Sequence, residues 1–164
     1  MAIKDAFIAE LKYEAALTKK MLERVPLDNR DWKPHEKSMT LGRLATHIAE
    51  NFRWVSNIKN IDDFDFAANP FKSHTANSQE ELIDLLQMNL DRAINDLSMM
   101  TDEDFNKTWT VRAGEKIMYN TPKKVAIRGW AFSHHIHHRG QLSVYLRLLN
   151  IPVPGMYGPS ADER

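Results

Sequence analysis

The sequence predicts an all-α fold, a four-helix bundle formed by residues 1–164 as a single domain. Four long segments carry apolar residues at helical spacing, and each presents one apolar face. Polar connections that contain proline separate these segments. Because an amphipathic helix must bury its apolar face, four of them in one chain of 164 residues pack most simply against one another as a bundle.

The first two helices have recognisable boundaries. The first apolar pattern covers residues 3–22 and is closed by Pro26. Residues 28–38 are mostly polar, which is typical of a connection. Thr40 or Ser38 then caps a second helix, whose apolar positions are Leu41, Leu44, Ala45, Ile48, Phe52 and Val55.

A long loop and a third helix follow. Residues 61–77 are of mixed polarity and contain Pro70, so they predict a loop. The sequence Ser-Gln-Glu-Glu at 78–81 fits a capping box. It precedes a third helix, whose apolar positions are Leu82, Leu85, Leu86, Leu90, Ile94 and Leu97. Residues 101–120 lose the helical period, and two short apolar runs around Ala113-Gly114 predict a short hairpin before the last helix.

The fourth helix carries most of the histidines. It is predicted to start with Thr121 as N-cap and proline at the first helical position, and to run to about Leu149. Its apolar stripe comprises Ile127, Ala131, His134, His138, Leu142, Tyr145 and Leu149. The tail from residue 151 contains three prolines and two glycines and cannot be helical.

Four of the seven histidines lie within residues 134–138. At about 100° per residue, His134 and His138 fall on the apolar stripe. His135 and His137 fall on its flanks, about 100° and about 60° away on either side. An imidazole on an apolar face is costly unless both its nitrogens have partners, and a metal ion is one such partner. The spacing therefore predicts a buried metal site that includes His134 and His138.

Two histidines from one helix need a third ligand from another element. His47 is the best candidate, because it lies inside the second helix, at the border of its apolar face. His35 and His74 lie in predicted loops and reach the site only if those loops fold back. The alternatives are that His137 replaces one of the stripe histidines, or that the histidines are surface residues or core residues held by hydrogen bonds.

Neighbouring residues suggest further roles. Gln141 and Tyr145 share the histidine face and are candidates for binding substrate or orienting a ligand. Arg139 points away from the stripe, so a surface ion pair or a subunit contact is predicted on equal terms with a catalytic role. Gly140 is costly in a helix interior, so it predicts close packing against another helix. No inward acidic residue near the histidines offers itself as a general base.

The tryptophans predict apolar contacts. Trp54, Trp109 and Trp130 are most simply core or interface residues. Trp54 and Ile58 lie on the flank of the second helix, beyond its central stripe, and contiguous apolar surface often marks an interface. A homodimer formed by bundle helices is therefore predicted. The alternative is that this flank is covered by the aromatic residues of the long loop, namely Phe64, Phe66 and Phe71.

Composition excludes several classes of protein. The chain has 22 basic and 22 acidic residues, and without a basic patch we expect no binding to nucleic acid. No apolar run has the length of a membrane span and none at the start resembles a signal peptide. We therefore expect a cytoplasmic location and no membrane partner. The absence of cysteine excludes disulfides, thiolate zinc ligands and a cysteine nucleophile.

Four stretches of the sequence resemble the DinB-like family, also called the DinB/YfiT superfamily. The first runs over residues 31–40 and continues into residues 44–50. The second, residues 134–147, contains the motif HxxxHRGQ. The others are Pro-Val-Pro-Gly at 152–155 and Tyr-Gly-Pro-Ser-Ala-Asp-Glu at 157–163. Together the four stretches span nearly the whole chain.

The resemblance implies a four-helix bundle, often a homodimer, with a three-histidine site for a divalent metal such as zinc or nickel. Matched position by position, the ligands would be His47, His134 and His138, the same three that the helical spacing selects. Some relatives resemble thiol-dependent S-transferases, and others are described as metal-dependent hydrolases. This chain departs from similar sequences at His135, where an acidic residue is common.

The predicted function is that of a metal-dependent enzyme that acts on a small molecule. Three neutral imidazoles leave a divalent ion with an open coordination position, at which water or a small-molecule thiol can become a nucleophile. S-transfer with a low-molecular-weight thiol as cosubstrate suits a chain that has no cysteine of its own. The alternatives are a hydrolase, a non-catalytic metal- or ligand-binding stress-response protein, and a purely structural helical dimer.

Overall fold

Helices dominate the computed structural model, which describes residues 2–70 and 73–163. The first half contains α1 (Ile3–Leu22), α2 (Leu41–Glu50), α3 (Arg53–Asn60) and α4 (Gln79–Ser98). The second half contains α5 (Asp102–Asn106), α6 (Lys123–Ala126), a π-helical segment (Ile127–Ser133) and α7 (His134–Leu148). None of the helices in these described ranges has both the length and the apolar character needed to cross a membrane.

The predicted second helix is in fact two helices. Thr40 caps α2, because its hydroxyl accepts a hydrogen bond from the Arg43 N–H at 3.3 Å. The helix ends at Glu50, and α3 begins three residues later. Ser78 caps α4 and accepts from the Glu81 N–H at 3.1 Å. The predicted capping box is only half formed, because the Glu81 carboxylate accepts from the Asn77 N–H at 2.8 Å rather than from the Ser78 N–H. Helix α4 packs against α1, α2 and α3, so it holds the first half of the chain together.

A small sheet corrects the prediction of an all-α fold. The predicted hairpin is present as β2 (Thr108–Ala113) and β3 (Lys116–Pro122), which pair antiparallel. Gly114 lies in the turn with φ +61°, a conformation that favours glycine. The part that sequence patterns missed is β1 (Asp63–Asp65), which pairs parallel with the other edge of β2. A three-residue strand is too short to show a period-2 pattern.

The predicted fourth helix is an unbroken run of helical residues, but it changes from α-helix to π-helix and back to α-helix. Pro122 still belongs to β3 and has extended backbone, so the helix begins at Lys123 rather than at the proline. One α-helical turn then widens into the π-helical segment before α7 starts at His134. A π-helical turn inside a helix is rare and occurs frequently at functional sites.

The flank of α3 that was predicted to form a homodimer interface is instead covered by residues of the same chain. Trp54 is 6% exposed and Ile58 is fully buried. The Trp54 ring contacts Phe64 at 5.3 Å and Phe66 at 6.0 Å between ring centroids, so the long loop folds over it. Phe71, the third aromatic residue of that prediction, lies outside the described residues. Trp109 and Trp130 complete the aromatic cluster from the other side.

The buried face of α7 is rotated relative to the predicted stripe. The positions that face the core are spaced four, three and four residues apart, namely His135, Arg139, Leu142 and Leu146. The predictions for Arg139 and Gly140 are therefore wrong. Arg139 is only 2% exposed and points into the core, whereas a Cβ added to Gly140 would meet no atom within 4 Å, so no helix packs closely there.

Candidate metal centre

The structure brings together the three histidines that the sequence selected. His47 comes from the last turns of α2, and His134 and His138 come from the first turns of α7. One ring nitrogen from each lies within 4.8 Å of the other two, and all three side chains are partly buried. Within residues 2–70 and 73–163, this is the one group of metal-ligating side chains found at such spacing.

The nitrogen separations fit a shared ion. The Nε2 atoms of His47 and His134 are 3.4 Å apart. Two ligands of a tetrahedral zinc ion, each about 2.05 Å from the metal, are separated by about 3.4 Å. The Nε2 atoms of His134 and His138 are closer, at 2.7 Å, so these two rings would move apart slightly around an ion.

Burial keeps the three imidazoles neutral, which is the form that binds a metal. Loss of hydration, together with smaller contributions from repulsion by His138 and His134, lowers the pKa of His47 to about 3. Burial likewise lowers the pKa of His134 to about 4, with repulsion by His138 as the next cause. The pKa of His138 is lowered by burial as well. At neutral pH the cluster therefore presents lone pairs rather than charges.

Two of the three rings are oriented by a hydrogen bond on their far side. The Nδ1 atom of His138 lies 2.7 Å from Oε1 of Gln141, and the amide oxygen can only accept. His134 makes a hydrogen bond to the backbone of Trp130. Such partners fix the tautomer that leaves Nε2 free to bind a metal. Gln141, predicted as a substrate-binding or orienting residue, contacts a histidine in the structure.

The other predicted substrate contact, Tyr145, lies deeper. Its side chain is buried, its hydroxyl donates to the Met39 carbonyl at 3.1 Å, and its ring meets Trp32 edge-on at 5.6 Å. These contacts attach the middle of α7 to the segment before α2. Substrate binding by Tyr145 stays a prediction.

Replacing Gln141 with leucine should lower the affinity for zinc about tenfold, because partners of metal-bound histidines typically contribute 10- to 100-fold. The change keeps an aliphatic side chain, shorter by one atom, and removes the acceptor for Nδ1 of His138. Val144→Ala, at another exposed position of α7, is the control and should leave the affinity unchanged. Competition with a zinc-binding dye measures both values. Equal affinities for wild type and Gln141→Leu would contradict the orienting role.

Asn51 joins α2 to the start of α7. With its amide oriented so that both ends have partners, it donates to the Trp130 carbonyl at 3.3 Å and accepts from the His135 N–H at 2.9 Å. Both contacts lie where the π-helical segment gives way to α7. Asn51 is 1% exposed, so this junction is held inside the protein. It fixes α7 relative to the helix that carries His47.

A second polar cluster lies on the opposite side of α7, between it and α1. Arg139 donates to the Glu14 carboxylate at 2.6 Å and to the Thr18 hydroxyl at 3.1 Å. The Thr18 hydroxyl donates to the Glu14 carbonyl, so His135 must donate to it through Nε2–H at 2.6 Å. The Tyr157 hydroxyl, from the C-terminal tail, donates to the Glu14 carboxylate at 2.8 Å. None of these contacts was predicted from the sequence.

His135 is fully buried and belongs to this second cluster rather than to the metal centre. Its ring stacks on Phe52, with 4.3 Å between ring centroids. Its Nδ1 atom has no hydrogen-bond partner in the structure. Burial, followed by repulsion from Arg139, lowers its pKa well below the usual value. The ring is therefore neutral at physiological pH.

The metal-free protein should lose stability as the pH falls below about 6.5. Below that value an unfolded histidine takes up a proton, whereas the folded protein holds His135 neutral, so protonation favours unfolding. One such group lowers the free energy of unfolding by up to about 1.4 kcal/mol per pH unit in this window. His47 and His134 act in the same direction. Urea denaturation in EDTA at pH 7.5, 6.5 and 5.5 measures the slope.

The control for this prediction is His135→Gln, which keeps a side-chain donor and removes the titrating group. Its stability should depend less steeply on pH between 6.5 and 5.5 than that of the wild type. Stability that is constant or rises as the pH falls across this window would contradict the prediction.

The remaining histidines lie outside the metal centre. His137 is exposed, and its ring lies 5.0 Å from the ring of His138 between centroids. His74 is exposed and forms an ion pair with Glu81 at 2.7 Å. His35 is exposed and accepts from the Lys37 N–H. The predicted loops thus do not bring His35 or His74 to the cluster.

Charged residues near His47 are engaged with one another. Arg43 donates to the buried Glu50 carboxylate at 3.1 Å, and its guanidinium also lies 3.5 Å from Nδ1 of His47. Glu50 was not considered in the sequence analysis, although it follows His47 on the same helix. Because its carboxylate is held in this ion pair, Glu50 is not a free carboxylate that would serve as a general base.

The sequence is similar to those of two proteins of Bacillus subtilis (strain 168). The chain is 26% identical over 133 residues to the uncharacterized protein YjoA of Bacillus subtilis (strain 168), which covers 80% of each chain. It is 24% identical over 160 residues to the uncharacterized protein YrdA of the same organism, covering 97% of this chain and 90% of that one.

Solved structures of DinB-like proteins share the fold. One from Bacillus cereus ATCC 10987 superimposes with a TM-score of 0.70 at 23% identity, covering 93% of this chain and 97% of that one. The structure of YjoA from Bacillus subtilis gives a TM-score of 0.66 at 21% identity, with coverages of 96% and 97%. The profile of the DinB family matches residues 1–164. The chain therefore belongs to the DinB family.

Proposed function

We propose that the protein is a metal-dependent enzyme that acts on a small molecule, with His47, His134 and His138 as ligands of a divalent ion. The observation that carries the proposal is the convergence of three neutral imidazoles, with no fourth side chain in the group among the described residues. Three protein ligands and an open position are typical of catalytic sites, whereas structural zinc sites are closed by four.

Zinc or nickel is the proposed ion, because imidazole is a suitable ligand for both. When bound, it would supply the Lewis acidity that makes a nucleophile available at neutral pH. Gln141 and the backbone at Trp130 would hold His138 and His134 in the tautomer that the ion needs. The four-helix bundle and the homodimer that the family resemblance implies stay predictions.

Thiol-dependent S-transfer is the proposed reaction. The chain has no cysteine, so a thiol nucleophile would come from a low-molecular-weight cosubstrate. In such a transfer the thiol loses its proton to solvent, its sulfur bonds to an electrophilic carbon, and the leaving group departs with the electrons of the broken bond. Hydrolysis is less well supported, because the buried carboxylates Glu14, Glu50 and Asp96 are each paired with a basic side chain.

An activity screen tests this proposal. Zinc- and nickel-loaded protein is incubated with glutathione or cysteine and 4-nitrobenzyl chloride, and the thioether product is measured by chromatography. We expect a rate above the uncatalysed background that is lost in His134→Ala and kept in His137→Ala. Thiol-independent turnover of ester substrates would favour the hydrolase instead. Bound metal without any turnover would favour the non-catalytic metal-binding protein.

A further inference from the structure

A cavity of about 310 Å³ opens directly beside the candidate metal centre. It is lined by Tyr119 from β3, Gly129 and Trp130 from the π-helical segment, and His134, the first residue of α7. Its size is at the lower end of the range for small-molecule sites. His134 is shared by the cavity and the histidine cluster, so a molecule in the cavity would lie next to the proposed ion.

The walls of this cavity are aromatic. The Tyr119 ring stands at 89° to the Trp130 ring, with 6.2 Å between centroids, and the His134 ring stands at 86° to it, at 6.5 Å. Trp130 is fixed from behind by Trp54, at 4.9 Å, and by Trp109, at 5.7 Å. Tyr119 is 52% exposed, so its ring is accessible to a bound molecule. Such ring arrangements favour an additional aromatic group.

Gly129 keeps the cavity open. A Cβ added at this position would meet no atom within 4 Å, and the glycine does not have positive φ. The backbone conformation at this position therefore does not require glycine. Alanine would be more favourable in a helix, so the glycine needs another explanation. The residue is exposed, and the absence of a side chain leaves space in front of Trp130.

The lining carries no charged side chain among the described residues. A cationic ligand would be drawn to the aromatic faces but repelled by a divalent ion held by three neutral imidazoles. An anionic group would be attracted to the ion itself, whereas the aromatic lining offers it no basic partner. We propose that the cavity binds an uncharged aromatic group of the substrate, whose reactive substituent then faces His134. This inference rests on the proposed function, because it names the substrate class of the same site.

Direct binding tests the inference without any turnover. 2-Naphthol is titrated into ¹⁵N-labelled, zinc-loaded protein, and the indole N–H signal of Trp130 is followed by NMR. We expect saturable shifts at Trp130 and binding about tenfold weaker in Gly129→Leu, whose side chain fills the cavity. Gly140→Leu is the matched control, since it places the same side chain on an exposed helical glycine elsewhere, and should bind like the wild type.

A second pair of variants separates the aromatic wall from general surface contacts. Tyr119→Ala should weaken binding, whereas Ile117→Ala, at another exposed position of β3, should not. Unchanged affinity in Gly129→Leu, or tighter binding of cyclohexanol or benzyltrimethylammonium than of 2-naphthol, would overturn the inference. Repeating the titration in EDTA distinguishes the two proposals. If zinc does not bind but 2-naphthol does, the proposed function fails and the aromatic site stands.

Discussion

Replacing His134 with alanine is expected to lower the affinity for zinc on the order of 100-fold. Zinc sites with four protein ligands bind with about 10–16 kcal/mol, or about 3 kcal/mol per ligand, and 1.4 kcal/mol corresponds to a tenfold change. His47→Ala and His138→Ala are expected to have similar effects, because the three nitrogens lie within 4.8 Å of one another. Competition with a chromogenic chelator gives the affinities of all three variants.

His137→Ala is the matched control for these variants. His137 is exposed, lies next to His138 in the chain, and is outside the cluster, so the variant should bind zinc like the wild type. His135→Ala should also keep its zinc affinity, although loss of a fully buried ring will destabilise the fold. Loss of zinc binding in His137→Ala together with its retention in His134→Ala would show that the assignment within residues 134–138 is wrong.

Replacing Arg139 with methionine is expected to lower the free energy of unfolding by about 3–5 kcal/mol. The Arg139 side chain is 2% exposed and its partner Glu14 is 6% exposed, with 2.6 Å between the charged atoms. Methionine fills much of the space but leaves the Glu14 carboxylate buried without its cation. Urea denaturation at pH 7.5 measures the loss.

The control is Arg147→Met, on the same helix. Arg147 pairs with Asp162 at the surface, where ion pairs contribute little, so this variant should keep nearly the stability of the wild type. The double variant Glu14→Met with Arg139→Met should recover part of the loss, because it removes both buried charges. Equal losses in Arg139→Met and Arg147→Met would contradict the buried ion pair.

Much of the helical framework follows from the sequence. Apolar spacing located α1 and α4, and the caps at Thr40 and Ser78 were confirmed by their side-chain hydrogen bonds. The break after Glu50 was missed because apolar residues continue at helical spacing through it. The strand β1 was missed because three residues show no pattern of their own and pair only when β2 lies beside them.

The second polar cluster could have been predicted from polar residues on the apolar stripe of α1. Phe7, Leu11, Glu14, Thr18 and Met21 are spaced four and three residues apart, so Glu14 and Thr18 lie on the buried stripe of α1. Polar residues on such a stripe require buried partners. On α7, residues 134–139 supply both a site-facing pair, His134 and His138, and a core-facing pair, His135 and Arg139. The overlap of the two pairs hid the true orientation of the helix.

The three histidines of the candidate site were predicted from the sequence, but the π-helical segment and the aromatic cavity beside them were not. Helical spacing selected His134 and His138, and the second helix supplied His47. The π-helical segment (Ile127–Ser133) was not predicted, because apolar spacing over seven residues does not distinguish a π-helical turn from an α-helix. The aromatic cavity depends on the same segment, since Gly129 and Trp130 both belong to it.

The most direct test of the metal centre is anomalous diffraction from crystals of the protein prepared with zinc, measured above and below the zinc absorption edge. We predict one strong peak about 2.0–2.1 Å from the Nε2 atoms of His47, His134 and His138, with no fourth protein ligand. A peak with four protein ligands would contradict an open catalytic site. The absence of a peak between these three histidines would contradict the metal centre itself.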